Sequence, residues 1–107
     1  MKLDAWEAVS SILEAGGVFQ YGRYEVRISN GHLHREDGPA VVAPDGTKLW
    51  YRNGWCHRED GPALVYPDGR LFWYRDGNLH REDGPAVVYP DGKQWWYRNG
   101  MLYQEDK

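Results

Sequence analysis

Apolar residues in this chain come in short bursts, and turn residues separate them. Ala40-Val41-Val42-Ala43 is followed by Pro44-Asp45-Gly46, then by Leu49-Trp50-Tyr51, then by Arg52-Asn53-Gly54. The same alternation recurs over 63–77 and 86–100. Short runs rich in Val, Trp and Tyr and bounded by Gly, Pro, Asn and Asp read as strands. The pattern predicts first strands at 40–43, 63–66 and 86–89, and second strands at 47–52, 70–75 and 93–98. Pro-Asp-Gly at 44–46, 67–69 and 90–92 predicts bulged hairpins, with Pro fixing φ and Gly taking the left-handed position. Asn-Gly at 53–54 and 99–100 and Asp-Gly at 76–77 predict two-residue hairpins. The Pro of each His-Arg-Glu-Asp-Gly-Pro stretch cannot donate to a ladder, so it marks a strand start or a bulge. The expected product is a continuous antiparallel meander with two long strands per unit.

The units repeat with a period of 23 residues and no insertion, over 30–52, 53–75 and 76–98. A truncated fourth copy, NGMLYQED, runs from Asn99 to Asp106, within 99–107. Fifteen of the 23 positions are identical in the three full copies. A fixed period of this size signals a repeat architecture, in which each unit buries its apolar face only by stacking on its neighbours. The 107 residues therefore read as one mainly β domain.

Residues 1–17 break the pattern. Asp4 and Glu7 have capping-box spacing, and Trp6, Val9, Ile12 and Leu13 form one apolar stripe before Gly16-Gly17. This predicts a short amphipathic helix over 5–15, a cap for an apolar sheet face or the first sheet edge. Residues 18–29 read as a degenerate half-repeat, a hairpin around Gly22-Arg23 in which Val26 to Ser29 stand where Leu49 to Arg52 stand.

A strand's period of two sends Trp and Tyr of each Trp-Tyr pair to opposite faces. Trp50, Trp73 and Trp96 should form one ladder, with Val42, Val65 and Val88 or their neighbours filling the gaps. Tyr51, Tyr74 and Tyr97 should form another on the reverse face. A sheet apolar on both faces needs a second cover, which a partner or a second copy of the chain could supply.

Charge changes this picture little. Thirteen Lys and Arg stand against 16 Asp and Glu, a net charge of −3, too mild to imply nucleic acid or a membrane surface. There is no apolar run of membrane-span length, and the N-terminus has no basic stretch followed by an apolar core. Cys56 is the single cysteine and fills the slot of Leu33 and Leu79, so it reads as a small apolar filler. These features suggest a cytoplasmic protein.

The recurring WYRNG, HREDGPA and PDG words of residues 30–106 resemble the MORN repeat class, in the divergent form of bacteriophage and bacterial proteins. The resemblance implies an elongated, twisted antiparallel sheet used for protein contact. It further implies a phage-type inhibitor of a bacterial defence complex such as CRISPR–Cas, acting in the host cytoplasm on a defence or nucleic-acid-processing complex.

No catalytic constellation can be read. His34, His57 and His80 invite a metal, but equivalent side chains two strands apart lie about 10 Å apart, too far to share one ion. A structural role within each unit fits better, and no cofactor is implied. Glu36-Asp37, Glu59-Asp60, Glu82-Asp83 and Glu105-Asp106 form a spaced acidic row that could mimic a nucleic-acid backbone against a basic groove. The interleaved Arg35, Arg58 and Arg81, with the row Arg52, Arg75 and Arg98, are expected to pair with much of that charge across the sheet. An alternative uses the Trp ladder and arginines to bind a nucleotide or single-stranded nucleic acid, against which the acidic balance speaks. A structural or assembly role is a third.

Target information should lie where the copies differ. Trp55 replaces His32 and Asn78, Phe72 and Trp95 replace Leu49, and Arg70 replaces Thr47 and Lys93. Trp55, Phe72, Arg70 and Trp95, with Glu59, Asp60, Glu82 and Asp83, are the expected partner-binding residues, and Trp55 is the leading anchor.

Overall fold

The computed structural model describes residues 17–105, so the predicted helix over 5–15 lies outside the described residues. Within them the chain is a β-meander with no helix. The main antiparallel sheet follows chain order. It runs through Gly17–Tyr21, Tyr24–Ser29, Val41–Val42, Lys48–Leu49, Leu64–Val65, Leu71–Phe72, Val87–Val88, Gln94–Arg98 and Met101–Glu105. His32–Leu33 pairs beside Tyr24–Ser29. Two separate hairpins pair Tyr51–Arg52 with Trp55–Cys56 and Tyr74–Arg75 with Asn78–Leu79.

The long second strands of the sequence pattern are thus corrected: 47–52 and 70–75 each break at the tryptophan. Trp50 N–H donates to the Ala63 carbonyl at 2.7 Å, inside the main sheet, while its own carbonyl accepts from His57 N–H at 3.0 Å. The backbone changes partners at that residue and leaves the main ladder. Gln94–Arg98 runs through the equivalent point unbroken, and there the register shifts between Trp96 and Tyr97.

The turns have the predicted chemistry. Asn53 and Gly54 have φ of 52° and 83°, both positive as the twisted two-residue hairpin requires. At Pro-Asp-Gly, Gly46 has φ 96° and donates its N–H to the Ala43 carbonyl, while Asp45 Oδ1 accepts the N–H of Thr47 at 2.9 Å. The half-repeat pairs Tyr21 with Tyr24 around Gly22-Arg23, and Val26 opposite Val41 occupies the register of Leu49.

Residues directly opposite one another share a face. One face carries Val41, Leu49, Leu64, Phe72, Val87 and Trp95 in unbroken cross-strand order. On the other, alanine stands opposite tryptophan: Trp50 and Trp73 flank Ala63, so the gaps are filled by Ala40, Ala63 and Ala86 rather than by Val42, Val65 and Val88. Those alanines are buried completely or nearly so. From the second row of hairpins, Cys56 Sγ lies 3.9 Å from the Ala63 carbonyl oxygen. Neighbouring hairpins of that row are tied by Gly54 N–H to the Leu33 carbonyl and Gly77 N–H to the Cys56 carbonyl.

Candidate functional site

The His-Arg-Glu-Asp-Gly-Pro stretch is a self-contained polar unit. The ring of His57 is buried, its Nε2 2.8 Å from Glu59 Oε2 and its Nδ1 accepting Asp76 N–H at 3.0 Å. His34 and His80 repeat both contacts with Glu36 and Asn53 and with Glu82 and Asn99. Since Nδ1 accepts, Nε2 carries the proton and donates to the carboxylate. Each histidine thereby fastens its own unit to the hairpin of the next.

Arginine closes the other half. Arg58 Nε donates to Asp60 and Nη1 to the Pro62 carbonyl, while its guanidinium carbon lies 4.0 Å above the Trp50 ring. Arg81 does the same with Asp83, Pro85 and Trp73. The intervening glycine leaves room for this close approach: a Cβ at Gly61 would sit 3.0 Å from the Arg58 guanidinium carbon and push the arginine aside. Charge therefore pairs mainly within each motif, two residues apart, and not across the sheet as expected.

This arrangement sorts the charges by exposure. The side chains of Arg35, Arg58 and Arg81 are only 26%, 28% and 27% exposed, while those of Asp37, Asp60 and Asp83 are 86%, 88% and 88% exposed. Arg58 and Arg81 are drawn onto tryptophan, and the carboxylates face outward. Arg52 reaches Glu59 at 3.3 Å and Arg75 reaches Glu82 at 3.7 Å, from side chains about half exposed. The hydrogen bond from His57 holds the Glu59 carboxyl below its ordinary value, that from His80 does the same for Glu82, and Arg35 does so for Asp37.

Between successive motifs lie open clefts. One of about 570 Å³ includes Asp60, Trp73, Arg75 and Asp83, and one of about 520 Å³ includes Asp37, Trp50, Arg52 and Asp60. They are one repeat apart, so the edge offers a periodic series of carboxylate-rimmed recesses. Among the described residues, no group of three His, Cys, Asp or Glu side chains is placed to hold a metal ion.

The expected partner-binding residues fall in three places. Glu59, Asp60, Glu82 and Asp83 lie together on the carboxylate edge. Trp55 projects from the hairpin row, 59% exposed, and leans over the next hairpin, where a Cβ on Gly77 would meet its ring at 2.5 Å. Phe72 and Trp95 are half-buried on the main sheet in a run of edge-to-face rings. Centroid distances there are 5.8 Å from Tyr66 to Phe72, 6.4 Å from Phe72 to Tyr89 and 5.0 Å from Tyr89 to Trp95. Arg70 lies over Tyr66 and bonds Asp68. Sequence reasoning missed the arginine–tryptophan stack, although a constant spacing of eight residues from Trp50 to Arg58 and from Trp73 to Arg81 signals it.

Comparison of the chain with protein-family models, with curated proteins and with solved structures gave no match. No helix among the described residues is long and apolar enough to cross a membrane.

Proposed function

We propose that this chain is a non-enzymatic protein-binding module that lays its carboxylate edge against the basic surface of a nucleic-acid-processing complex and occludes it. A phage-encoded inhibitor of a bacterial defence system such as CRISPR–Cas would act in this way, and the resemblance of the repeats to phage-type MORN variants supports that setting. The observation that carries the reading is the separation of charge. Asp37, Asp60 and Asp83 face solvent one repeat apart, while their arginine partners are withdrawn onto the sheet. A line of fixed anionic groups steers and registers a basic partner. Trp55, exposed on the hairpin row, is a second, aromatic anchor.

Binding of single-stranded nucleic acid through the tryptophan ladder is disfavoured by the same geometry. The rings of Trp50 and Trp73 already carry the guanidinium groups of Arg58 and Arg81. A base would have to displace both the stack and the bonds that hold it.

Capture from a bacterial lysate on the immobilised chain, with duplex DNA as competitor, tests the reading. The retained protein should be a nucleic-acid-processing complex, and DNA should release it. Retention that DNA does not affect would count against occlusion of a basic channel.

A further inference from the structure

At the Pro-Asp-Gly end of the main sheet, one residue per strand falls in a single cross-strand row: Tyr24, Ala43, Thr47, Tyr66, Arg70 and Tyr89. The second half of the row is a closed set. The Arg70 guanidinium carbon stands 4.0 Å over the Tyr66 ring, and its Nε lies 2.9 Å from Asp68 Oδ2. Ring, cation and carboxylate satisfy one another.

The first half has two of the three parts. Ala43 stands in the slot of Tyr66, and Thr47 in the slot of Arg70. The carboxylate is kept: Asp45, the counterpart of Asp68, is oriented by the Thr47 N–H at 2.9 Å. That bond also lowers its pKa, and no Lys or Arg among the described residues pairs with it. A ring is present too, since Tyr24 stands one strand away, 45% exposed. The small residues leave a cleft of about 410 Å³ lined by Tyr24, Ala43, Pro44, Asp45, Thr47 and Leu49. What it lacks, compared with the copy beside it, is the guanidinium.

We propose that this cleft binds an arginine side chain of a protein partner, the guanidinium lying against Tyr24 and pairing with Asp45 as Arg70 lies on Tyr66 and pairs with Asp68. The charge of Asp45 is complementary, and a planar guanidinium stacks on an aromatic face where an ammonium does so less well. The inference rests on the reading of the chain as a binder of basic protein surfaces and names one residue such a surface would present.

The test is an amide-shift titration of the full chain with N-acetyl-arginine methylamide, with the lysine analogue as control. Saturable shifts are expected at Ala43, Asp45 and Thr47. The lysine analogue should bind about fivefold or more weaker, since it lacks the stacking plane. Asp45→Asn keeps an acceptor for the Thr47 N–H but loses the charge, and should weaken arginine binding by about fivefold. Ala43→Tyr should fill the cleft as Tyr66 fills its own slot, abolishing the shifts without lowering Tm. The inference is overturned if the wild-type amides show no saturable response, or if Asp45→Asn binds arginine as well as wild type. A clear fall in Tm for Ala43→Tyr would also overturn it, because the space would then be taken by another part of the chain. The titration needs no partner, so its failure and a failed lysate capture are separate results.

Discussion

The imidazole of His57 joins two repeats: its Nδ1 accepts the backbone N–H of Asp76, nineteen residues further along the chain, at 3.0 Å. Asp76 Oδ1 also lies 3.3 Å from that nitrogen, but an Nδ1 that is accepting a backbone N–H cannot donate to it. The binding contact is therefore to the turn. A type of hairpin whose residues both need positive φ has its first N–H bound by the preceding repeat, so the histidine adds a side-chain tie to the backbone bonds between units.

Removing that imidazole should loosen the stack. His57→Ala and His80→Ala each leave a turn N–H without its acceptor and take one donor from a Glu carboxylate, and should cost about 1–3 kcal/mol of unfolding free energy. His34→Ala should cost less, because its side chain is more exposed, 16% against 3% for His57. Urea unfolding followed by tryptophan fluorescence measures all three. Equal losses would show that burial does not set the cost.

The glycine of each His-Arg-Glu-Asp-Gly-Pro motif should be intolerant of a methyl group because of arginine and not because of backbone strain. Gly61 is not among the residues of positive φ, yet its Cβ would crowd Arg58. Gly61→Ala should destabilise by about 1 kcal/mol, the loss of the Arg58 contacts. In an Arg58→Ala background the same change should be near neutral. A double-mutant cycle measures the coupling, and additive effects would refute the explanation.

Acid should weaken the fold from a defined side. Glu59, Glu82 and Asp37 are held below their ordinary values, chiefly by bonds from His57, His80 and Arg35. A carboxyl depressed in the folded state contributes stability that is complete above its unfolded value and is lost as pH falls through the folded one. Stability should therefore lose this contribution as pH drops below the ordinary glutamate value of 4.5, then below the aspartate value of 3.8. The slope should be shallow, because these groups face solvent. Urea midpoints taken down to about pH 2.5 read this directly, and Glu59→Gln should flatten the glutamate part.

Cys56 should behave as a filler and not as a reactive thiol. Burial pushes its pKa up to about 11 from the ordinary 9.0. At mildly alkaline pH the thiolate fraction should be about a hundredfold lower than in the unfolded chain, and disulfide-exchange labelling should be slowed to match. Labelling of the folded chain at the unfolded rate would contradict the placement of its thiol against the Ala63 carbonyl.

The turns and strand segments were legible because each rests on local chemistry. Asn53-Gly54 and Pro44-Asp45-Gly46 adopt the conformations their side chains favour. The hairpin around Gly22-Arg23 was legible as well, and Tyr21 pairs with Tyr24 across it. The break at Trp50 was not, because periodicity cannot tell a long strand from two short ones that share a residue. Nor was the fate of the charges. Arg58 and Asp60 could be seen to alternate, but only the Trp50 ring beneath Arg58 decides which of the two faces water. The cleft at Ala43 was written in the sequence as a Tyr-to-Ala difference, and became a site only when Tyr24 and Asp45 were placed beside it.

The central claim, that the outward carboxylates hold a basic partner, is tested most directly by one affinity. The triple variant Asp37→Asn, Asp60→Asn, Asp83→Asn keeps an acceptor for each arginine while removing three exposed charges. Its affinity for the complex captured by the wild-type chain should fall by about tenfold or more at physiological salt, with Tm unchanged. An unchanged affinity in a folded variant would contradict the claim.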